Sequence, residues 1–308
     1  MIVRRGAALV ASAMVLVLAA ACGSDDSGSK TDTAAGKVEC PNGGTVQMAV
    51  EPFEDPAKLT PAFKLVGEAL SRELGCKVET TVVTEYSAEV VAMRNKKIDV
   101  AVFGPLGFVF ASKNANAEAV ASFGDSTGKL SSYKAGIWVP KDSPITKVEE
   151  LKGRNLALSS AGSTSGDAFP RYAIRTAGLQ ESDVNLTYAG GHPQALLALK
   201  NGKVDAAEIN TQQLATATEA KEFDPSGFRQ IWASDPIPND PITVRGDLSP
   251  EFKKAVADAL LHLSPKDVGK LGALLDVSPP GPLVAVTRDT YQPIFSLAQT
   301  LGLTEKDA

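Results

Sequence analysis

From Thr45 onward the chain alternates between two hydrophobic periods. "TVQMAV" begins as a strand. Leu59, Phe63, Val66, Leu70 and Leu74 then recur at four-and-three spacing, and Gly75 follows; the pattern predicts an amphipathic helix over 57–74 with a glycine stop. "KVETTVV" reads as a strand, "SAEVVAMRNKK" as a short helix, and "IDVAVFG" as a continuous apolar run suited to a strand buried on both faces. Alternation continues through "LGFVFASKN", "AEAVASFG", "KAGIWVP", "RNLALSS", a helix around "RYAIRTAG", "VNLTYAG", "PQALLALKNG", "VDAAEIN" and "RQIWASDP". Such alternation predicts an α/β chain with parallel-sheet character.

Small and polar residues gather where these strands hand over to helices: "TEYSAE", "FGPLG", "SSAGSTSG", "AGGHPQA" and "SDPIPNDPI". In open α/β sheets ligands bind beyond the carboxyl ends of strands, so several loops of one kind predict a shared cleft. Two crossings of the chain, near Tyr133 to Trp138 and near Ala233 to Pro241, divide it into lobe 1 (45–136 and 235–308) and an inserted lobe 2 (137–234).

Composition narrows the function. The 308 residues are 44% hydrophobic and 22% charged, enough apolar material for two lobes. A net charge of -5 with scattered Lys and Arg leaves no footprint for nucleic acid. The first residues carry Arg4 and Arg5, an apolar stretch too short for a comfortable membrane span, and Ala19, Ala20 and Ala21 before Cys22. That run resembles a bacterial lipobox, with Ala19 where leucine is usual. The resemblance implies a signal peptide over 1–21, export, acylation of Cys22 and tethering to the outer face of the cytoplasmic membrane; an ordinary secretory signal is the alternative. Residues 22–44 read as the acylated cysteine and a flexible tether. Cys40 and Cys76 fall in the exported part, where a disulfide between them is expected and two free thiols are the alternative.

The chemistry centres on residues 159–170, "SSAGSTSGDAFP". Helix-start N–H groups, the hydroxyls of Ser163, Thr164 and Ser165, and the close approach allowed by Gly166 suit a tetrahedral oxyanion. The same residues can instead do no more than cap their own helix. Pro170 either begins the helix or distorts its first turn. Tyr86 and Tyr133 are candidate ligand contacts or core aromatics. His192 is a candidate donor or a cap, and Asp240 a candidate ligand carboxylate or a turn residue between prolines.

The order and spacing of Ser163-Thr164-Ser165-Gly166, Gly191-His192-x-x-Ala-Leu with Val204-Asp205, and Ile237-Pro238-Asn239-Asp240-Pro241 resemble the phosphate, phosphite and phosphonate substrate-binding proteins of ABC transporters. "MRNKKIDVAVFGP", "WVPKDSPITKVEELKGRNLAL" and "RDTYQPIFSLAQTLGL" extend the resemblance over about 45–303. It implies a two-lobed type II periplasmic-binding-protein fold with a hinge of two crossing segments. It further implies an ABC permease and its ATPase subunit as partners, a monomer, no cofactor and no metal. By position, Ser163, Thr164, Ser165 and the Gly166 amide would hold phosphoryl oxygens, with His192 donating from lobe 2 and Tyr86 and Tyr133 approaching from lobe 1. Asp240 matches a carboxylate on the hinge side. At Gln212 this chain has an amide where a carboxylate serves amine-bearing ligands, which favours phosphite, methylphosphonate or phosphate; Glu208 lies near enough in sequence to compensate.

A lipid-anchored serine hydrolase using Ser163, His192 and Asp240 is the alternative reading. Yet "GSTSG" puts Thr164 where a nucleophile elbow needs serine, and no H-E-x-x-H or phosphate-loop motif is present. An adhesion or structural lipoprotein would leave the cleft loops without a task.

Overall fold

The computed structural model describes residues 38–307. Cys22 and residues 1–21, the expected signal peptide, lie outside them. The described chain builds two mixed sheets. The first contains β1 (Thr45–Val50), β2 (Lys77–Val82), β3 (Val100–Val102), β4 (Glu118–Phe123), β12 (Pro241–Val244) and β13 (Leu283–Ala285), in the order β13-β4-β12-β3-β1-β2. The second contains β6 (Gly136–Pro140), β7 (Asn155–Leu158), β8 (Asn185–Tyr188), β9 (Ala206–Glu208) and β10 (Phe228–Ala233), in the order β10-β6-β9-β7-β8.

The predicted elements are present, and the amphipathic helix runs Pro56–Leu74, with Asp55 capping its start and Gly75 left-handed at its end. The sheets are less parallel than their alternation suggests. β12 runs antiparallel to both β3 and β4, and β6 antiparallel to β9 and β10. These reversals occur where the chain crosses between sheets, because a strand arriving from the other lobe needs no helical crossover to pair.

The two crossings meet. β5 (Ser132–Tyr133) and β11 (Ile237–Pro238) form a two-stranded antiparallel sheet with Tyr133 opposite Ile237. Beneath them, Phe108 packs edge-on against Tyr291 and Phe295, with ring centroids 5.4 and 5.9 Å apart, and the Tyr291 hydroxyl donates to the Asn239 carbonyl at 2.7 Å. The aromatic core thereby fixes the backbone beside Asp240. Cys40 and Cys76 form a disulfide, with Cα atoms 5.8 Å apart, stapling the segment before β1 to the end of the first long helix. Helix Pro250–His262 covers the first sheet, Pro265–Leu274 packs against the helix Pro56–Leu74, and Gln292–Leu301 packs on Pro105–Asn114. Among the described residues no helix is long and apolar enough to cross a membrane.

Candidate binding site

The loop after β7 does not run straight into a helix. Ser163 caps a π-helical turn, Thr164–Ala168, which leads into the helix Phe169–Thr176 with Pro170 in its first turn. The ring that cannot donate thus sits where no donor is needed, and the wider turn precedes it. Asp167 pins the turn from within, accepting from Gly162 N–H at 3.1 Å and from the Tyr188 hydroxyl at 2.8 Å.

Ser163, Thr164 and Ser165 are buried, and each hydroxyl oxygen already accepts an N–H from the protein. Gly166 N–H donates to Ser163 Oγ at 3.1 Å, Leu106 N–H to Thr164 Oγ1 at 2.9 Å, and Asn210 Nδ2 to Ser165 Oγ at 2.9 Å. Accepting an N–H leaves each hydroxyl its own hydrogen to donate, so all three can serve as donors. The Gly166 amide is spent on one of these bonds. Its side-chain-free Cα is needed too, since a Cβ there would collide with Ser159 Oγ and stand 2.8 Å from His192 Cε1.

His192 begins the helix His192–Lys200 after Gly191 and is buried. Its Nε2 lies 3.1 Å from Ser163 Oγ and its Nδ1 2.6 Å from Glu208 Oε1, an ion-pair contact from the end of β9. Burial pulls the imidazole pKa down, but the Glu208 carboxylate, with Glu54 and Asp240 further off, outweighs it and holds the ring above the ordinary histidine value. In the protonated ring, which this contact favours, both nitrogens donate.

From the first lobe, Tyr86 stands at the start of the helix Tyr86–Arg94 beside Ser163, and Tyr133 on β5 beside Thr164 and Ser165. Burial, then the charges of Glu51 and Asp240, push both phenol pKa values well up, so both remain protonated donors. Asp240 is buried, its backbone held by its N–H to Asn239 Oδ1 at 2.9 Å. Burial drives its carboxyl pKa up to about 7, with the nearby His192 pulling the other way. Gln212 is also buried; its Nε2 donates to Asn239 Oδ1 at 3.1 Å and to the Leu275 carbonyl at 3.4 Å. Its amide therefore serves the crossing segment, and Glu208 is committed to His192.

The structure brings Tyr86, Tyr133, Ser163, Thr164, Ser165, Gly166, His192 and Asp240 to one buried locus, with Gln212 behind Asn239. The triad-like alignment is Ser163–His192–Glu208, whereas the hydrolase reading placed Asp240 behind the histidine. The Glu208 carboxylate favours the protonated ring, which works against a proton-accepting role for His192. Among the described residues no group of three His, Cys, Asp or Glu is placed to hold a metal.

Sequence reasoning missed Asn210, the Leu106 amide, and two buried acids, Glu51 and Glu89. Asn210 carries the signal of a helix cap, accepting from Gln213 N–H at 2.7 Å. Glu89, three residues after Tyr86, shares its face of the helix.

A two-lobed α/β protein with donors from both lobes gathered at one buried locus has the build of a solute-binding protein. The family model described as "ABC transporter, phosphonate, periplasmic substrate-binding protein" matches residues 48–289, and the chain belongs to that family. It is 27% identical over 252 residues to the phosphate-import protein of Mycolicibacterium smegmatis, covering 78% of this chain and 77% of that one. It is 29% identical over 214 residues to the phosphonates-binding periplasmic protein of Escherichia coli, covering 68% of this chain and 63%, less than two thirds, of that one. A Prochlorococcus marinus protein solved in complex with methylphosphonate shares the fold, with a TM-score of 0.73 at 22% identity, over 84% of this chain and 98% of that one.

Proposed function

We propose that this protein captures a small phosphorus oxyanion between lobe 1 (45–136 and 235–308) and lobe 2 (137–234) and delivers it to an ABC permease driven by its ATPase subunit. Acylation of Cys22 would hold it, as a monomer, at the outer face of the cytoplasmic membrane. Ser163, Thr164 and Ser165 donate to the phosphoryl oxygens, joined by Tyr86 and Tyr133 from lobe 1 and by His192 from lobe 2, whose Nε2, 3.1 Å from Ser163 Oγ, would share its hydrogen between that oxygen and the ligand. Asp240 accepts a hydrogen bond from a P–OH group, since a bare carboxylate would repel a dianion.

The observation that carries this reading is that three adjacent hydroxyl oxygens each receive a protein N–H, leaving their hydrogens for an acceptor. Charge-assisted hydrogen bonds contribute about 1.5–3 kcal/mol each, enough together to offset the ordering cost of binding. Engagement of Gln212 by Asn239 and Leu275 leaves no charged partner there for an amine, which favours phosphite, methylphosphonate or phosphate over aminoethylphosphonate.

A thermal-shift panel of phosphate, phosphite, methylphosphonate, aminoethylphosphonate and sulfate tests it. A ligand at a hundred times its Kd stabilises the fold by about 2.7 kcal/mol. A phosphorus oxyanion that raises the melting temperature, with sulfate inert, is the expected result; a flat panel overturns it.

A further inference from the structure

Three carboxyls lie close enough on the first-lobe side of the site for the charge of Asp240 to act on both glutamates, and among the described residues no lysine or arginine offsets them. Glu51 follows β1, Glu89 lies one turn beyond Tyr86, and Asp240 comes from the return crossing. Glu89 is 0% exposed and Glu51 3%. Both oxygens of Glu89 and Oε2 of Glu51 have no hydrogen-bond partner among the described residues. The Glu51 carboxyl is lodged against the start of the helix Pro105–Asn114: a Cβ on Gly104 would collide with its Oε1, and one on Gly107 would stand 3.4 Å from its Oε2.

The groups facing this cluster come from every element around it. They are Glu51 itself after β1, Tyr86 and Glu89 on their helix, the Gly104 N–H, Tyr133 on β5, and Asp240. From the second lobe comes His192, which acts on Asp240 and is already matched by Glu208. Three buried carboxylates facing one histidine that Glu208 already engages cannot all remain ionised; such groups take up protons instead. For both glutamates burial is the leading cause, followed by the charge of Asp240, and both acids are held well above the ordinary value.

We propose that Glu51 and Glu89 are specificity-determining residues that meet the ligand as neutral acids, offering O–H donors to an oxyanion that carries no cationic group. The inference rests on the oxyanion-binding role proposed above. A neutral acid adds a donor without adding negative charge, so it suits a phosphoryl group in a site with one cationic ring. An ammonium group would require the same acids ionised. The protons must be in place for binding, so affinity holds at low pH and falls as pH rises.

The test is calorimetry of the full chain, Glu51→Gln and Glu89→Gln with methylphosphonate, phosphite and aminoethylphosphonate, near pH 6 and near pH 8.5, in buffers of differing ionisation enthalpy. Glutamine keeps the shape and an N–H donor but cannot ionise. Expected near pH 6 is binding of methylphosphonate or phosphite by each variant within about threefold of the parent. Near pH 8.5 the parent should lose about tenfold relative to the variants and take up more protons per ligand than they do. Equal proton uptake in parent and variants overturns the inference. So does a loss of more than about tenfold confined to aminoethylphosphonate, which would make the glutamates ammonium partners. If one variant fails to fold, the other carries the same comparison; if both fail, a parent affinity unchanged across this pH range overturns it. If no phosphorus oxyanion binds the parent at either pH, the proposed function falls and this inference with it; binding without the proton difference removes this inference alone.

Discussion

Leu106 and Thr164, 58 residues apart, are joined by a 2.9 Å hydrogen bond in which the backbone N–H of one lobe's helix donates to the threonine hydroxyl of the other. The bond does two things at once: it joins the lobes at the site, and it leaves the Thr164 hydroxyl its own hydrogen to donate.

Thr164→Val preserves shape and removes both functions, whereas Thr164→Ser retains the hydroxyl. Losing a charge-assisted donor costs about 1.5–3 kcal/mol, so the valine variant should bind its oxyanion roughly tenfold to a hundredfold more weakly, with serine restoring most of it. Calorimetry on the three proteins measures this, and parent-like affinity in Thr164→Val would remove Thr164 from the ligand's donors.

His192 should titrate above the ordinary histidine value of 6.5 because Glu208 stands against it. The stability this pair contributes is full below the unfolded-state pKa and drains away as pH rises through the higher folded value. NMR of the ring across pH should show that elevated midpoint, and Glu208→Gln should move it down. A midpoint indifferent to Glu208→Gln would contradict the pairing.

The buried acid Glu89 gives the ligand-free protein a second pH dependence. Its carboxyl binds a proton more tightly folded than unfolded, so its contribution is intact below the ordinary glutamate value of 4.5 and is lost as pH rises through the raised folded value. The melting temperature should therefore decline from mildly acid toward mildly alkaline pH, and Glu89→Gln should flatten the decline. Parallel profiles for the two proteins would mean that Glu89 is ionised at little cost.

Loss of the Cys40–Cys76 disulfide, which spans 36 residues, should cost about 2–4 kcal/mol in a denaturant melt of Cys40→Ala/Cys76→Ala against the parent. Thiol titration of the denatured, unreduced chain checks the bond itself: these two cysteines should give no free thiol.

Much of the fold was legible because its elements carry strong local periodicity. Leu59, Phe63, Val66 and Leu70 mark one helix face, and all four are buried. Helices Pro250–His262 and Pro265–Leu274 went unread although Ser249 and Ser264 cap them, the second in a full capping box. The antiparallel placement of β12 has no local signature, since its apolar residues would suit either direction. Within the site, the serine–threonine run announced itself by composition, but the partner of His192 did not: Glu208 sits at the end of a buried strand, and nothing local distinguishes it from Asp240 as the companion acid. Glu51 and Glu89 were invisible for a similar reason, because a glutamate in a string of letters looks like a solvated charge until its surroundings are known.

The pairing of β5 with β11 has a mechanical consequence. Two connecting strands tied to each other cannot swing separately, so a rotation between the sheets would turn about this pair. Tyr133 lies on that pivot, and an atom near an axis moves little while those far from it sweep through large arcs. Its phenol would accordingly keep nearly the same address through such a swing, a fixed mark while the far wall travelled.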